Sequence, residues 1–584
     1  MMKQNKGVTL IALVVTIVVL LILAGTTIAM LTGDNGIIAR AAKAKEATDK
    51  AASEEEAGLQ RTLQEIASRV PSVEGYNDIK KVNSPKLAEG MIPVKWDKSK
   101  NVWVVCDEND PTWYNYNSKE WANVMLRDGS KYTPGKDVGE GTEIADKDLG
   151  SMYVWIPRYA YTVPKIDSNS KKIDITFVKG NTNEGVNGEI FTTDESVDTT
   201  STKLIHPGFN LGGSPLTGIW VAKFEASGVD SKGNAVGNAS ENSTNQIYEP
   251  NDDTIAQSLP NKISWRHITI GDCEQRSMEV ATKDSFGLKN ASSHLIKNSE
   301  WGAVAYLCYS DYGSVPQINA AGSLVENPWY VYNLYTGQGP KKSGDEGRYP
   351  KENDSNNYST TNGMLASTTG NTTGVYDMNG GAWEYVAAYI DNGNGNLNNC
   401  GKSAKTKYFE NGKLNSAYTS LWDKYDASQE EKDNQINLED GTQVTQSGLW
   451  GDSTNKLVEI KYQNARKRLT QAVFDGMAKH KGIGVNEMTT TFSYYTAYQN
   501  TNGDYAQGWF IDPEVAAAEK TKEQYISGVA RAWDNDLIRI GHSSVPFVIR
   551  GGYFISGGYA GVFYSDAYYG GGYSNLGFRP VVVV

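Results

Sequence analysis

Sulfur and histidine ligands are scarce in this chain. Four cysteines, Cys106, Cys273, Cys308 and Cys400, are spread over 584 residues with no CxxC pair. Structural zinc and a dense disulfide framework are therefore excluded, and at most one or two isolated disulfides fit. The five histidines, His206, His267, His294, His480 and His542, fall into no HExxH or other close ligand spacing. A GxSxG nucleophile elbow and a P-loop are also missing. Positive charge is short: the net charge is −12, and phosphate contacts need clustered Lys and Arg, so no nucleic-acid surface is expected. Asp391 to Asn396 has the look of a calcium loop but lacks the terminal Glu of an EF-hand. No metal, cofactor or catalytic residue is assigned.

What is present begins with an apolar terminus. Gly7 to Gly33 carries no charge, with Lys6 before it and Asp34 after it. As a helix it would reach roughly 40 Å at 1.5 Å per residue, more than the ~30 Å hydrocarbon layer. This predicts a membrane segment through residues 8–32, within a first unit at 1–33. Residues 34–70 read as a helical stalk: Leu59, Leu63, Ile66 and Val70 recur at 4-3-4 spacing, and proline waits until Pro71. Residues 71–145 predict a small β-rich module, with Trp96, Trp103, Trp113 and Trp121 as core. From 146 to 584 the pattern is one large domain of short apolar runs between Gly/Asn/Ser loops. Ser299 to Leu307 stands out as helical, and 391–445 reads as a polar surface insertion.

The last forty residues are unusual. Between 553 and 573 lie six Tyr and six Gly, with Asp566 the only charge. Six phenol hydroxyls in a core would each need a partner. On a surface, Tyr gives large amphipathic contact area at low entropic cost, and Ser and Gly adapt around it. The predicted contact residues are Tyr553, Ile555, Ser556, Tyr559, Tyr564, Asp566, Tyr568, Tyr569, Gly571 and Tyr573.

Short motifs carry three family resemblances. Lys6-Gly7-Val8-Thr9-Leu10-Ile11 resembles the processing site of type IV pilin-like proteins, which implies a prepilin peptidase cutting between Gly7 and Val8. That family's usual fifth mature residue is glutamate; here it is Ala12, which counts against filament assembly. Gly374-Val375-Tyr376-Asp377-Met378-Asn379-Gly380-Gly381-Ala382-Trp383-Glu384-Tyr385, Arg550-Gly551-Gly552 and Gly577-Phe578-Arg579-Pro580 resemble signatures of formylglycine-generating-enzyme-like domains. Met152–Pro157 and Asn298–Ala303 match that family's opening strand and helix. The implied fold is an α+β, C-type-lectin-like domain at the C-terminus, behind the transmembrane and stalk helices. Trp383 and Phe578 would anchor its centre, with a buried Glu384–Arg579 or Asp377–Arg550 pair. The oxidases of that family hold copper with two cysteines between the RGG and GFR elements. No cysteine lies between Gly551 and Phe578, so that chemistry is not expected.

A Tyr/Ser/Gly-rich segment at 550–584, closing on GFRP, is similar to the variable proteins of diversity-generating retroelements. All ten predicted contact residues are types reachable by adenine mutation of an AAY codon, and Trp, Lys, Glu, Gln and Met are missing from 553–574. The expected function is a bacterial membrane-anchored, surface-exposed receptor or adhesin for a protein or glycan ligand. The alternatives are a diverged formylglycine-generating-type enzyme and a structural pseudopilin.

Overall fold

The computed structural model describes residues 73–129, 138–164, 172–230, 253–314, 334–339, 356–391, 408–410, 413–426 and 546–584 except 555 and 557–559, with short isolated stretches between 235 and 542. By internal contacts the chain divides into Met1–Pro71 and Ser72–Val584, and the described residues all belong to the second unit.

In chain order the strands that build its two large sheets are β1 (Ile92–Asp97), β2 (Val102–Val105), β3 (Asn123–Met125), β4 (Glu143–Ile144), β5 (Met152–Pro157), β6 (Gly218–Ala222), β7 (Ser292–Leu295), β8 (Trp383–Asp391), β9 (Asp423–Asp426), β10 (Val529–Arg531), β11 (Leu537–Arg539), β12 (Phe547–Gly551), β13 (Gly561–Tyr568), β14 (Leu576–Phe578) and β15 (Pro580–Val583). Two α-helices occur among the described residues, α1 (Ile270–Glu279) and α2 (Asn298–Cys308).

The first sheet runs β7-β15-β6-β5-β3-β1-β2-β4. Alternating aromatic and β-branched residues make it. Trp220 on β6 faces Trp155 on β5 in register, their rings 5.2 Å apart, and Trp96 pairs with Trp103 across β1 and β2 at the same distance. Such cross-strand aromatic pairs are a main source of sheet stability. Trp103, Trp113 and Trp121 are buried, as core tryptophans should be, and the partly buried Trp96 packs against the cluster around Trp103. Residues 71–145, read in sequence as a module, contribute four strands to this sheet alongside β5, β6 and the C-terminal β15.

The second sheet is mixed, in the order β9-β8-β12-β13-β11-β10, with β14 pairing in parallel onto β8. Helix α2 is wholly buried, and its Trp301 donates Nε1–H to the Val562 carbonyl of β13 at 2.7 Å. Its first turn is closed by Glu300, which accepts the Lys297 N–H at 2.9 Å and lies 3.0 Å from His294 Nε2. The predicted helix at Ser299–Leu307 lies within α2.

The α+β class expected from the sequence is corrected here: the fold is mostly β, with strand outweighing helix. The α+β expectation came from a resemblance of short motifs, whereas apart from α1 and α2 the described chain breaks into short apolar runs suited to strands. No helix among the described residues is long and apolar enough to cross a membrane. The segments 1–33 and 34–70, with Gly7, Val8 and Ala12, lie outside the described residues.

Candidate functional site

The glycine pair that ends β12 turns the chain out of the second sheet. Gly551 and Gly552 have φ of 88° and 81°, and a Cβ on Gly552 would stand 2.6 Å from that of Ala560. Strand β13 then returns antiparallel to β12 with Ile549 opposite Asp566 and Val548 opposite Ala567. It is buried as far as Asp566. Tyr564 and Asp566 therefore lie inside: the Tyr564 hydroxyl reaches Asp566 Oδ2 at 3.4 Å, and Asp566 Oδ1 accepts the Ala567 N–H at 2.8 Å.

Beyond Asp566 the chain emerges. Tyr569 and Tyr573 are 48% and 42% exposed, and Tyr568 is half-buried between them. The Tyr568 and Tyr569 rings stack at 4.2 Å with an interplanar angle of 24°, their hydroxyls 2.9 Å apart, and Tyr573 lies 6.0 Å from Tyr568. Burial, then the hydrogen bond it shares with Tyr569, pushes the Tyr568 phenol well above its ordinary range. Tyr553 is half-buried, with its ring 4.2 Å from that of Trp383. Its N–H donates to Ser556 Oγ at 3.1 Å, closing a small turn. Gly571 is buried. Ile555 and Tyr559 lie outside the described residues.

The segment from 570 to 575 is held by its carbonyl oxygens. Gly570 O accepts from Ile270 N at 3.1 Å, Gly571 O from the Tyr385 hydroxyl at 2.7 Å, and Tyr573 O from His267 N at 2.9 Å. Ser574 O accepts from the Arg266 guanidinium, and Asn575 O from Trp383 N at 2.8 Å. Gly570 (φ 85°) fits where a Cβ would press to 2.7 Å on the Phe547 ring. The exposed rings at 569 and 573 are thus carried on backbone that other elements fix. Tyr385→Phe removes the donor to a buried carbonyl and should cost about 1–3 kcal/mol. A lowered denaturant midpoint at unchanged slope would register it, and an unshifted midpoint would show that Gly571 O finds another donor.

Beneath this face lies a buried charged cluster. Arg579 makes a bidentate pair with Glu384, Nε to Oε2 at 3.0 Å and Nη2 to Oε1 at 2.6 Å. It also donates to the Ala222 and Tyr376 carbonyls at 2.8 and 2.9 Å. Asp377, in the left-handed region at φ 65°, accepts from Gly337 N at 2.8 Å and from Glu225 N at 3.3 Å. Burial pushes its carboxyl up to about 7 even though the Arg579 charge pulls the other way. Glu225 accepts the Ala382 N–H at 2.7 Å and contacts Ser264 Oγ. Burial, with the charges of Asp377 and Glu384, drives it well above the ordinary carboxylate range. Lys223 sends its ammonium to Asn123 Oδ1 and to the Thr372 and Gly374 carbonyls.

The Glu384–Arg579 pair is one of the two that the sequence suggested. Arg550 instead donates to Val562 O at 3.3 Å and lies 5.9 Å over the Trp301 ring. Phe578 is fully buried beside Trp265, whereas Trp383 sits at the rim, half-buried against Tyr553. Sequence reasoning missed Glu225, Ser264, Arg266 and His267. None of the four carries a sequence signal: even the left-handed φ of 61° at His267 appears only in the fold.

Cys106, Cys273 and Cys308 are buried, and burial pushes the Cys106 and Cys273 thiols up, away from a nucleophile's range. Cys400 lies outside the described residues. Among the described residues no group of three or more His, Cys, Asp or Glu side chains is placed to hold a metal ion. No model of a known protein family matches the chain, and no curated protein matches it.

Proposed function

We propose that this chain is a surface-displayed, ligand-binding protein whose contact face is formed by Tyr568, Tyr569, Tyr573 and Tyr553, with Trp383 at its rim. The reading rests on one observation: two exposed tyrosines stand on a segment whose backbone carbonyls, rather than its side chains, tie it to the fold. Such a segment can change its outward side chains with little effect on stability. That is what a diversified segment of the retroelement type requires. The uncharged run at 7–33 supports a chain held at the membrane, and the pilin-like resemblance of residues 6–11 supports a bacterial one exposed at the cell surface. The ligand is a protein or glycan, bound non-covalently.

The test probes an array of purified bacterial surface proteins and glycans with the full chain and with Tyr568→Ala/Tyr569→Ala/Tyr573→Ala. Loss of two or three aromatic anchors should weaken any specific signal by more than about tenfold, since tyrosine hot spots cost about 2 kcal/mol or more each. A folded triple variant that binds like the parent defeats the proposal. Diversification has its own test in the neighbouring DNA: a near-copy of codons 550–580, differing at adenines, beside a reverse-transcriptase frame.

A further inference from the structure

Ser264 presents a counting problem. Its Oγ lies 3.1 Å from the Leu334 carbonyl and in short contact with Glu225 Oε2. A serine hydroxyl has one hydrogen to donate. Leu334 O also accepts the Ser264 N–H at 2.9 Å, so the hydroxyl hydrogen has two places to go; with it on Leu334 O, the Glu225 contact needs a proton from the carboxyl itself. Glu225 then donates through Oε2 and accepts the Ala382 N–H at Oε1, so every atom of a neutral acid at this site is satisfied. The surroundings favour the neutral form. Arg579, bound to Glu384, and Arg266, bound to Ser574 O, both feel the Glu225 charge, but burial and the flanking Asp377 and Glu384 outweigh them. Lys223, on the same strand end, is committed to three oxygens elsewhere.

Glu225 also touches both braces of the tyrosine face. Gly381 (φ 75°) packs so closely that a Cβ there would stand 2.4 Å from Glu225 Oε1, and its carbonyl accepts the Phe554 N–H at 2.9 Å. The residue after Ala382 is Trp383, which packs on Tyr553 and donates to Asn575 O. On the other side, Ser264 leads into Arg266 and His267, which hold the Ser574 and Tyr573 carbonyls. We propose that Glu225 is carried as the neutral acid, donating its proton to Ser264 Oγ, and that in this form it is the positioning residue of the tyrosine face. Ionisation would remove the donor to Ser264 and place a further negative charge behind the 381–383 turn, loosening both braces. That the positioned face binds a ligand rests on the proposed function; the proton itself does not.

The test is amide hydrogen exchange over 380–384, 553–556 and 570–576 in the full chain, without ligand, for the parent, E225Q and S264A across pH. A glutamine keeps a donor for Ser264 and an acceptor for Ala382 N–H but cannot ionise. At about pH 5, E225Q should exchange within about twofold of the parent; at alkaline pH the parent should exchange about tenfold faster than E225Q. Comparison at equal pH cancels the intrinsic base catalysis. E225Q exchanging faster than the parent at every pH overturns the assignment. S264A decides the matter by sign if E225Q does not fold. Losing an acceptor for the acid's proton shifts the parent's transition to lower pH, whereas losing a donor to a carboxylate shifts it higher. An upward shift, or none, overturns the proposal. Binding by the tyrosine variants leaves these readouts untouched, so the two proposals can fail separately.

Discussion

Replacing Arg579 by methionine should destabilise the folded unit by about 3–5 kcal/mol, the cost of leaving one member of a buried ion pair alone. Arg579 and Glu384 are both fully buried. The guanidinium supplies two hydrogen bonds to the carboxylate and one each to Ala222 O and Tyr376 O. Methionine fills the volume but satisfies none of the four. It strands a carboxylate in the low-dielectric interior beside Asp377 and Glu225, whose own carboxyls are already driven up by burial. The double variant E384M/R579M should recover much of the loss, because it removes the stranded charge while leaving only the two carbonyls short of donors. Urea or guanidinium melts of the four species of that cycle check this directly. If R579M costs under about 1 kcal/mol, the pair contributes little and the cluster is not what joins β6, β8 and the C-terminal strands.

That pair also marks how far the sequence could be read. Glu384 and Arg579 were visible as charged neighbours of Trp383 and Phe578 within apolar surroundings, so a buried partner for each was a local inference. Likewise β5, β6 and β12 are short apolar runs bounded by turn residues, and α2 follows a helical spacing; local pattern suffices for all four. The fold class was misjudged because it followed the resemblance of a few short motifs, whereas the described chain is governed by strand pairing over hundreds of residues, such as Trp220 with Val582. Within the candidate site, composition pointed to 553–573 but could not sort its tyrosines. Tyr564 and Tyr569 are identical in type, yet one precedes and one follows the point where β13 leaves the core. Glu225 and Ser264 were illegible for a related reason: their partners Ala382 and Leu334 are remote in sequence, and a lone Glu after an apolar strand carries no sign of its proton.

The second large effect concerns pH. Asp377 is fully buried and its carboxyl is pushed up to about 7, from an ordinary value of 3.8. Below about pH 4 the folded and unfolded chains both carry the proton. Between about 4 and 7 the folded chain holds it and the unfolded chain has released it, so unfolding releases a proton and stability falls as pH rises. Above about 7 neither state holds it, and this contribution levels off. The slope from this one group is at most about 1.4 kcal/mol per pH unit, and Glu225, shifted upward from 4.5, adds its own slope over the same interval and extends the decline further up. D377N should remove the Asp377 share of that decline and leave the Glu225 share. Asparagine tolerates the left-handed backbone that residue 377 adopts, and its carboxamide oxygen can accept the Gly337 N–H that Asp377 accepts now. Denaturant midpoints measured from mildly acidic to neutral pH should therefore decline in the parent and decline less steeply in D377N, where Glu225 alone of the two still holds its proton. A parent whose stability rises over that interval would mean that Asp377 is ionised when folded, held by Arg579 against the cost of burial, and the neutral-acid character assigned to the cluster would fall with it.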